Sequence, residues 1–292
     1  MAQPVRKAVF PVAGRGTRFL PATKVIPKEM IPIVDKPVIQ YAVEEARAAG
    51  IEHFIFVISN GKEAIASHFE EHTELEQTLE ALGKTAEVSL VRDVTLPHGS
   101  LNSVKQEEPL GLGHAVWCAR DLVGNQPFAV ILPDDMVLSK TPCLKQILDI
   151  YADVGGHVVA VEDVSRDKTN KYGILDVTKD MGNLVRARGL VEKPLPENAP
   201  STLAIIGRYV LDPMVFEVLG NHKRGTGDEI QLTDALNSMI QKLPLHGLRF
   251  EGLRYDCGSQ IGFVEANVAF ALAHTEISES IKPLLRKLLN HK

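Results

Sequence analysis

Three groups of polar residues have the types and spacing for chemistry on anions. The first is Gly14-Arg15-Gly16-Thr17-Arg18, directly after the apolar run 8–12. Small residues let a backbone approach a ligand closely, and free N–H groups with a guanidinium fork suit phosphate oxygens. Pro21, Pro27, Pro32 and Pro37 follow, with Lys24 and Lys28 among them. Proline fixes φ and disfavours helix in the residue before it, so a stiff, extended loop carrying cations is expected. We read this stretch as a nucleoside triphosphate site. It is not a Walker A loop, because no Gly-Lys-Ser/Thr follows. Nor is it the dinucleotide fingerprint, because Phe19 stands where the third glycine belongs. A plain structural turn is the competing reading; Arg18, Lys24 and Lys28 count against it.

The second group is acidic. Asp134 follows the apolar run 128–132, and Asp256 precedes Cys257-Gly258 after another apolar stretch. Magnesium keeps several waters, so one or two carboxylates plus substrate phosphates suffice to hold it. A single Asp at a strand end also starts turns, so the metal reading rests on the pair. The third group is Glu192-Lys193-Pro194. A carboxylate beside an ammonium suits a sugar hydroxyl and a phosphate together; a surface ion pair is the alternative. Gly111–Gly113 either lets a backbone pass close to a flat base or simply starts a helix, and His114 reads as a supporting residue rather than a catalyst. His68 to His72 matches the H-x-x-E-H pattern of some zinc peptidases, but no further ligand motif supports it, and a solvated helix end is expected. Cys257 has no partnered His and reads as a small buried residue rather than a nucleophile.

The elements that must position these groups alternate in the first half. Strands are expected at 8–12, 53–59, 87–92 and 128–132, with helices at 38–49, 62–69, 73–82 and from Gly111 to about 122. Gly50 is a usual helix stop, and the polar stretch 93–103 is a candidate mobile lid. Such alternation implies a mostly parallel sheet flanked by helices, with ligands beyond the carboxyl ends of its strands. The second half reads as strands at 157–161, 173–177, 184–191, 203–210 and 248–256, a smaller mixed layer over the first sheet. Helices are expected at 213–219, 229–241, 261–273 and 277–289. The last has a near-heptad apolar stripe, which packs on its own subunit or on another copy.

Length and composition narrow the class. The 292 residues, 45% hydrophobic and 24% charged, suffice for one large domain or two small ones with a real core. A net charge of −5 argues against general nucleic-acid binding. Cys118, Cys143 and Cys257 make neither metal spacing nor a disulfide framework, which fits a reducing compartment. The start of the chain does not read as a signal peptide, and no apolar run approaches the roughly 20 residues of a membrane span. A cytoplasmic protein is expected.

Taken together, the motifs PVAGRGTRFLPATKVIPKEMIPIVDKP, Gln106 followed by PLGLGHAV, LPDD, KYGI, VEKP, IIGRYVL, GDEIQLTDAL and YDCGS resemble the bacterial UTP–glucose-1-phosphate uridylyltransferases, or UDP-glucose pyrophosphorylases. They run from about Ala8 to Gly262 in the family's order. The resemblance implies one nucleotide-diphospho-sugar transferase domain, α/β and Rossmann-like. Its nucleotide part would span about 1–140, its sugar-phosphate part about 141–258, and its terminal helices about 259–292. It implies UTP plus glucose 1-phosphate giving UDP-glucose plus pyrophosphate, with Mg2+, in a homodimer or homotetramer. By motif, Ala13, Gly14, Gln106 and Gly111 would meet the uracil, with Gly16 and Thr17 in the nucleotide loop. Arg18 would grip the departing pyrophosphate and Lys28 the α-phosphate region. Asp134 and Asp256 would hold magnesium. Gly173, Glu192 and Gly207 would line the glucose pocket, with Lys193 on the sugar phosphate. One departure is Gln260, where relatives often carry a lysine. A thymidylyltransferase, and a regulatory paralogue that binds UDP-sugars without chemistry, are the competing readings.

Overall fold

The computed structural model describes residues 2–290. Among these residues the strands are β1 (Lys7–Pro11), β2 (Pro32–Ile33), β3 (Lys36–Pro37), β4 (His53–Ile58), β5 (Leu101–Lys105), β6 (Phe128–Ile131), β7 (Asp135–Leu138), β8 (His157–Asp163), β9 (Gly173–Asp180), β10 (Leu184–Glu192), β11 (Leu203–Leu211), β12 (Leu245–Arg249) and β13 (Leu253–Asp256). Nine of them form one sheet in the order β5-β4-β1-β6-β11-β8-β12-β10-β9. The strands β5, β4, β1 and β6 are parallel, as the alternation with helices predicts.

Alternate residues of these strands feed two separate cores. Val9, Ile55, Val57, Phe128 and Val130 face one; Ala8, Phe10, Phe54, Phe56, Ala129 and Ile131 face the other. That is why the strands read as continuous apolar runs, since helices cover both faces. Helices Val38–Ala48 and Cys143–Val154 supply apolar residues to the second core, and helices Leu112–Cys118 and Leu232–Met239 to the first.

The later strands differ from expectation in placement. They do not lie over the first sheet as a layer; they continue it edge to edge. β11 is antiparallel to both β6 and β8, and β12 is parallel to β8. The reason is β11 itself: every residue from Leu203 to Leu211 is buried, so it needs strand neighbours on both edges and cover on both faces.

Three further expectations are corrected. Residues 87–92 are not a strand but part of helix Thr85–Val94, whose Arg92 pairs with Glu76 and Glu80 of helix Thr73–Ala81. The sheet position expected for them is taken by β5, which begins inside the stretch read as a lid and runs two residues past it. Its sequence LNSVK is mixed: Leu101 packs against the second core and Val104 against the first, while Asn102, Ser103 and Lys105 are exposed and main-chain pairing with β4 holds the strand at the sheet edge. The shortened connection is anchored by buried Leu96, whose N–H donates to the Phe69 carbonyl at 2.9 Å. Finally, 248–256 is two strands: β12 stays in the main sheet, while β13 pairs antiparallel with β7 in a sheet of their own.

His157, at the start of β8, is fully buried. Its Nδ1 accepts from the Asp212 N–H at 3.2 Å, and its Nε2 has no partner among the described residues. Burial lowers its pKa to about 4, whereas the unfolded chain titrates near 6.5. Between those values the unfolded state binds the proton and the folded state does not, so stability is lost as pH falls from about 6.5 to 4, by about 3 kcal/mol. Denaturant unfolding of wild type and His157→Gln across that window should show the acid loss reduced in the variant.

Candidate active site

The glycine-rich loop leaves the carboxyl end of β1. The Val12 N–H donates to the Val57 carbonyl at 2.9 Å, and the Gln106 N–H to the Ile58 carbonyl at 2.8 Å. Ala13-Gly14 and Gln106 therefore start from adjoining strand ends. Gly16 takes φ 64°, ψ 28°, a left-handed conformation that suits glycine, and a Cβ there would sit 3.1 Å from Lys28 Cβ. The Thr23 hydroxyl donates to the Gly16 carbonyl at 2.7 Å. The loop is stiff but not extended: Thr17–Phe19, Ala22–Lys24 and Lys28–Met30 each form a 3-10 turn. Arg15 and Lys24 face solvent, while Arg18 borders the main cavity and Lys28 turns inward.

The two carboxylates expected as metal ligands converge, although they are far apart in sequence. The Cys257 N–H donates to the Asp134 carbonyl at 2.7 Å, and Asp256 stands opposite Asp135 in the β13–β7 pair. A Cβ on Gly258 would lie 2.9 Å from Asp256 Oδ1, 3.3 Å from Asp134 Oδ2 and 3.5 Å from Arg18 Nη1. Two carboxylates and a guanidinium thus surround one point that only a glycine leaves open. Lys28 Nζ donates to Asp134 Oδ2 at 2.6 Å. Burial pulls the Lys28 pKa down, but the Asp134 and Glu29 carboxylates more than offset this and hold it above its ordinary value. Burial pushes Asp134 up, and Lys28 outweighs that, keeping it below the usual carboxylate range. Both groups are charged at neutral pH. Hard-oxygen donors from two strand ends, beside Arg18 and Lys28, fit a divalent cation.

A cavity of about 650 Å³ connects this end of the site to the sugar-side residues. Arg18, Asp134 and Asp256 border it with Gly173, Glu192, Lys193 and Gly207. Glu192 is no solvated surface residue: its side chain is 9% exposed, its Oε2 accepts from the Thr233 hydroxyl at 2.7 Å, and its Oε1 pairs with Lys193 Nζ at 3.2 Å. Lys193 has φ 47°, uncommon for a residue with a side chain, and its N–H donates to the Tyr172 carbonyl at 2.9 Å. Gly207 is required by contact: a Cβ would come 2.5 Å from Leu132 Cβ.

Ala13, Gly14, Gly16, Thr17, Lys28, Gln106 and Gly111 lie outside the lining of that cavity. Lys28 reaches it through Asp134. Gly111, at φ 102°, packs against Glu229 and Ile230, and its neighbour Leu112 borders the cavity. Gln260, the departure from the motif, donates from Nε2 to the Arg18 carbonyl at 3.1 Å, so it steadies the loop and supplies no charge.

Sequence reasoning missed four supporting residues. Asp135 accepts from Arg254 Nε at 2.7 Å and from the Gly207 N–H at 2.9 Å, which makes it a strut beside Asp134. Buried Lys62 donates to Glu29 Oε2 at 2.8 Å and to the Val12 carbonyl at 2.6 Å, tying the third 3-10 turn to the end of β1. A lysine in a polar turn carries no local sign of burial; a Glu beside a functional Lys is the faint signal that could have raised it. The two motifs set aside earlier stay aside. His68 Nε2 bonds to Gln40 Oε1 and His72 caps its helix through the Leu75 N–H. The described residues contain no group of three or more His, Cys, Asp or Glu able to hold a metal by themselves. Burial pushes the Cys257 thiol up to about 12, away from nucleophilic use.

An α/β sheet with a cationic loop, two carboxylates and a cavity of about 650 Å³ at its strand ends fits a nucleotide-dependent transferase. Residues 7–271 match the family described as Nucleotidyl transferase, and the chain belongs to that family. It is 51% identical over 261 residues to a UTP–glucose-1-phosphate uridylyltransferase of Komagataeibacter xylinus, covering 89% of this chain and 92% of that protein. It is 46% identical over 286 residues to the enzyme of that name from Bacillus subtilis (strain 168), covering 98% of each. Among solved structures it is similar to a UDP-glucose pyrophosphorylase from Acinetobacter baumannii, with TM-score 0.90, 39% identity, and coverage of 97% and 99%. A UTP-bound UGPase from the same organism has TM-score 0.90 and 39% identity, with coverage of 99% of this chain and 100% of that one.

Proposed function

We propose that this chain is a nucleotidyltransferase that forms UDP-glucose and pyrophosphate from UTP and glucose 1-phosphate. The observation that carries the reading is the cavity that joins Arg18, Asp134 and Asp256 to Glu192 and Lys193. In the reaction an oxygen of the sugar phosphate bonds to the α-phosphorus of UTP. The bond from that phosphorus to the bridging oxygen breaks, and its electron pair leaves with pyrophosphate. The nucleophile is already an anion, so no strong general base is needed. The work is bringing two polyanions into line and holding the charge that moves to the leaving group.

In this reading the nucleotide sits on the part of the chain at about 1–140. The backbones of Ala13, Gly14, Gly16 and Thr17 approach it, and Gln106 and Gly111 meet the base. Lys28 holds the α-phosphate and Arg18 the departing pyrophosphate. In the part at about 141–258, Gly173, Glu192 and Gly207 take the glucose hydroxyls and Lys193 its phosphate. Asp134 and Asp256 would hold a divalent metal, which we take as Mg2+; when bound it neutralises phosphate charge. A homodimer or homotetramer completes the reading. It is supported by apolar side chains left exposed on the last two helices, Ile261 and Val264 on one and Leu284, Leu288 and Leu289 on the other. In that last helix, Ser278–Asn290, Ile281 and Leu285 are half-buried, as is Ile277 just before it, so the stripe serves its own subunit only in part. No helix of the described residues is long and apolar enough to cross a membrane. We place the enzyme in the cytoplasm, in keeping with three free cysteines.

Pyrophosphate release with glucose 1-phosphate and Mg2+, using UTP or dTTP, with and without a chelator, tests this. Release that is much faster with UTP and abolished by chelation is expected. Equal or faster release with dTTP would move the assignment to thymidylyl transfer. Saturable UDP-glucose binding without any release would leave a non-catalytic sugar-nucleotide binder.

A further inference from the structure

Gln106 and His114 make a contact that the transfer chemistry does not use. Both side chains are buried. Gln106 Nε2 lies 3.1 Å from the Gly111 carbonyl oxygen and 3.0 Å from His114 Nδ1. A carbonyl only accepts, so the nitrogen end of the amide must face it. The same nitrogen meets Nδ1, which must then be the unprotonated, accepting nitrogen of the ring. Both amide hydrogens are thereby used. The ring proton sits on Nε2, 3.9 Å from Cys118 Sγ one helical turn on. Burial, with His222 beside it, keeps the His114 pKa below its ordinary value, so the neutral ring is the resting form.

The imidazole is held rather than free to swing. It stacks on Trp117 at 5.9 Å between centroids and meets the edge of His222 at 5.7 Å. The helix that carries it is pinned at Gly113, whose N–H donates to the Ile230 carbonyl at 2.8 Å and where a Cβ would come 2.7 Å from that oxygen.

We propose that His114 is a positioning residue that sets base specificity: with the Gly111 carbonyl it turns Gln106 so that the amide carbonyl oxygen is the atom offered to the nucleotide base. This rests on the reading above that places the base against Gln106. An outward carbonyl oxygen accepts from a base edge carrying an imide N–H, as uracil and thymine do. Cytosine presents an acceptor at that ring nitrogen, and two facing acceptors leave both unpaired, which a hydrogen-bonding site rejects strongly. His114 thus discriminates between pyrimidine classes without touching the ligand.

The test is the ratio of kcat/KM for UTP to that for CTP in His114→Leu, His114→Asn and Gln106→Ala. Leucine removes the acceptor, whereas asparagine can place an amide oxygen where Nδ1 stands. His114→Leu should lower the ratio about tenfold, chiefly through KM for UTP, and His114→Asn should retain it within about threefold. A ratio unchanged in His114→Leu but lost in Gln106→Ala overturns the role of His114 while leaving the base where we place it. A ratio and KM unchanged in Gln106→Ala overturn the placement of the base itself. If the leucine variant does not fold, the 15N signature of His114 in the wild-type protein decides: the Nε2–H tautomer is expected, and the Nδ1–H tautomer overturns the proposal.

Discussion

Lys28→Ala should cost about 100- to 1000-fold in kcat, the loss of about 2.7–4 kcal/mol typical of removing one preorganised charge donor. Lys28 is held at 2.6 Å from Asp134 Oδ2 and its charge is favoured there. It is therefore in place before substrate arrives and, in the proposed role at the α-phosphate, costs little reorganisation during the transfer. In the proposed reading glucose 1-phosphate is held at Glu192 and Lys193, away from Lys28, so KM for the sugar phosphate should change far less than kcat. Steady-state kinetics with each substrate varied in turn provide the check. Near-wild-type turnover would remove Lys28 from its assigned role. A large rise in KM with unchanged kcat would make it a ground-state binding residue. The variant also leaves the Asp134 carboxylate without its ammonium, so Lys28→Arg serves as the charge-retaining control.

The second large effect is on stability. Arg208 is 1% exposed, and its Nε and Nη2 donate to Glu45 Oε1 and Oε2 at 2.9 and 2.8 Å. Its Nη1 donates to the carbonyls of Leu132 and Gly207, each at 3.0 Å. Glu45 also accepts from the Leu144 N–H at 2.8 Å, so one ion pair joins helix Val38–Ala48, β11 and the start of helix Cys143–Val154. Glu45→Ala strands a buried guanidinium and should lower the unfolding free energy by about 3–5 kcal/mol. Replacing both partners with apolar residues, as in Glu45→Leu with Arg208→Met, should recover much of that loss, because no charge is then left unpaired. Denaturant unfolding of the single and double variants measures both. Leu132 precedes the Pro133-Asp134 turn and Gly207 borders the main cavity, so Glu45→Ala should also blunt catalysis at temperatures where it is still folded. A loss under about 1 kcal/mol would mean that water reaches Arg208 and that the pair is no more than a surface one.

Much of the candidate site was legible in residue types. A small-residue loop with Arg18 and Lys28 after an apolar strand, Asp134 at a strand end, and Glu192-Lys193 before proline are local patterns whose physics does not depend on a partner. The parallel half of the sheet was legible for the same reason, since strands covered on both faces must be apolar throughout. What failed locally failed where burial and pairing part company. β5 is an edge strand with only Leu101 and Val104 turned to the cores and its other residues exposed, and helix Thr85–Val94 carries the apolar residues that suggested a strand in its place. Only the tertiary structure decided that β11 joins two halves into one sheet, that β13 leaves the main sheet to bring Asp256 beside Asp134, and that Arg208 and Lys62 are buried charges with partners. Only it turned the Gln106 amide, through a histidine eight positions along the chain. A sequence records which faces must be hidden and which groups are reactive; the identity and orientation of a partner far along the chain are fixed by packing, which no local pattern contains.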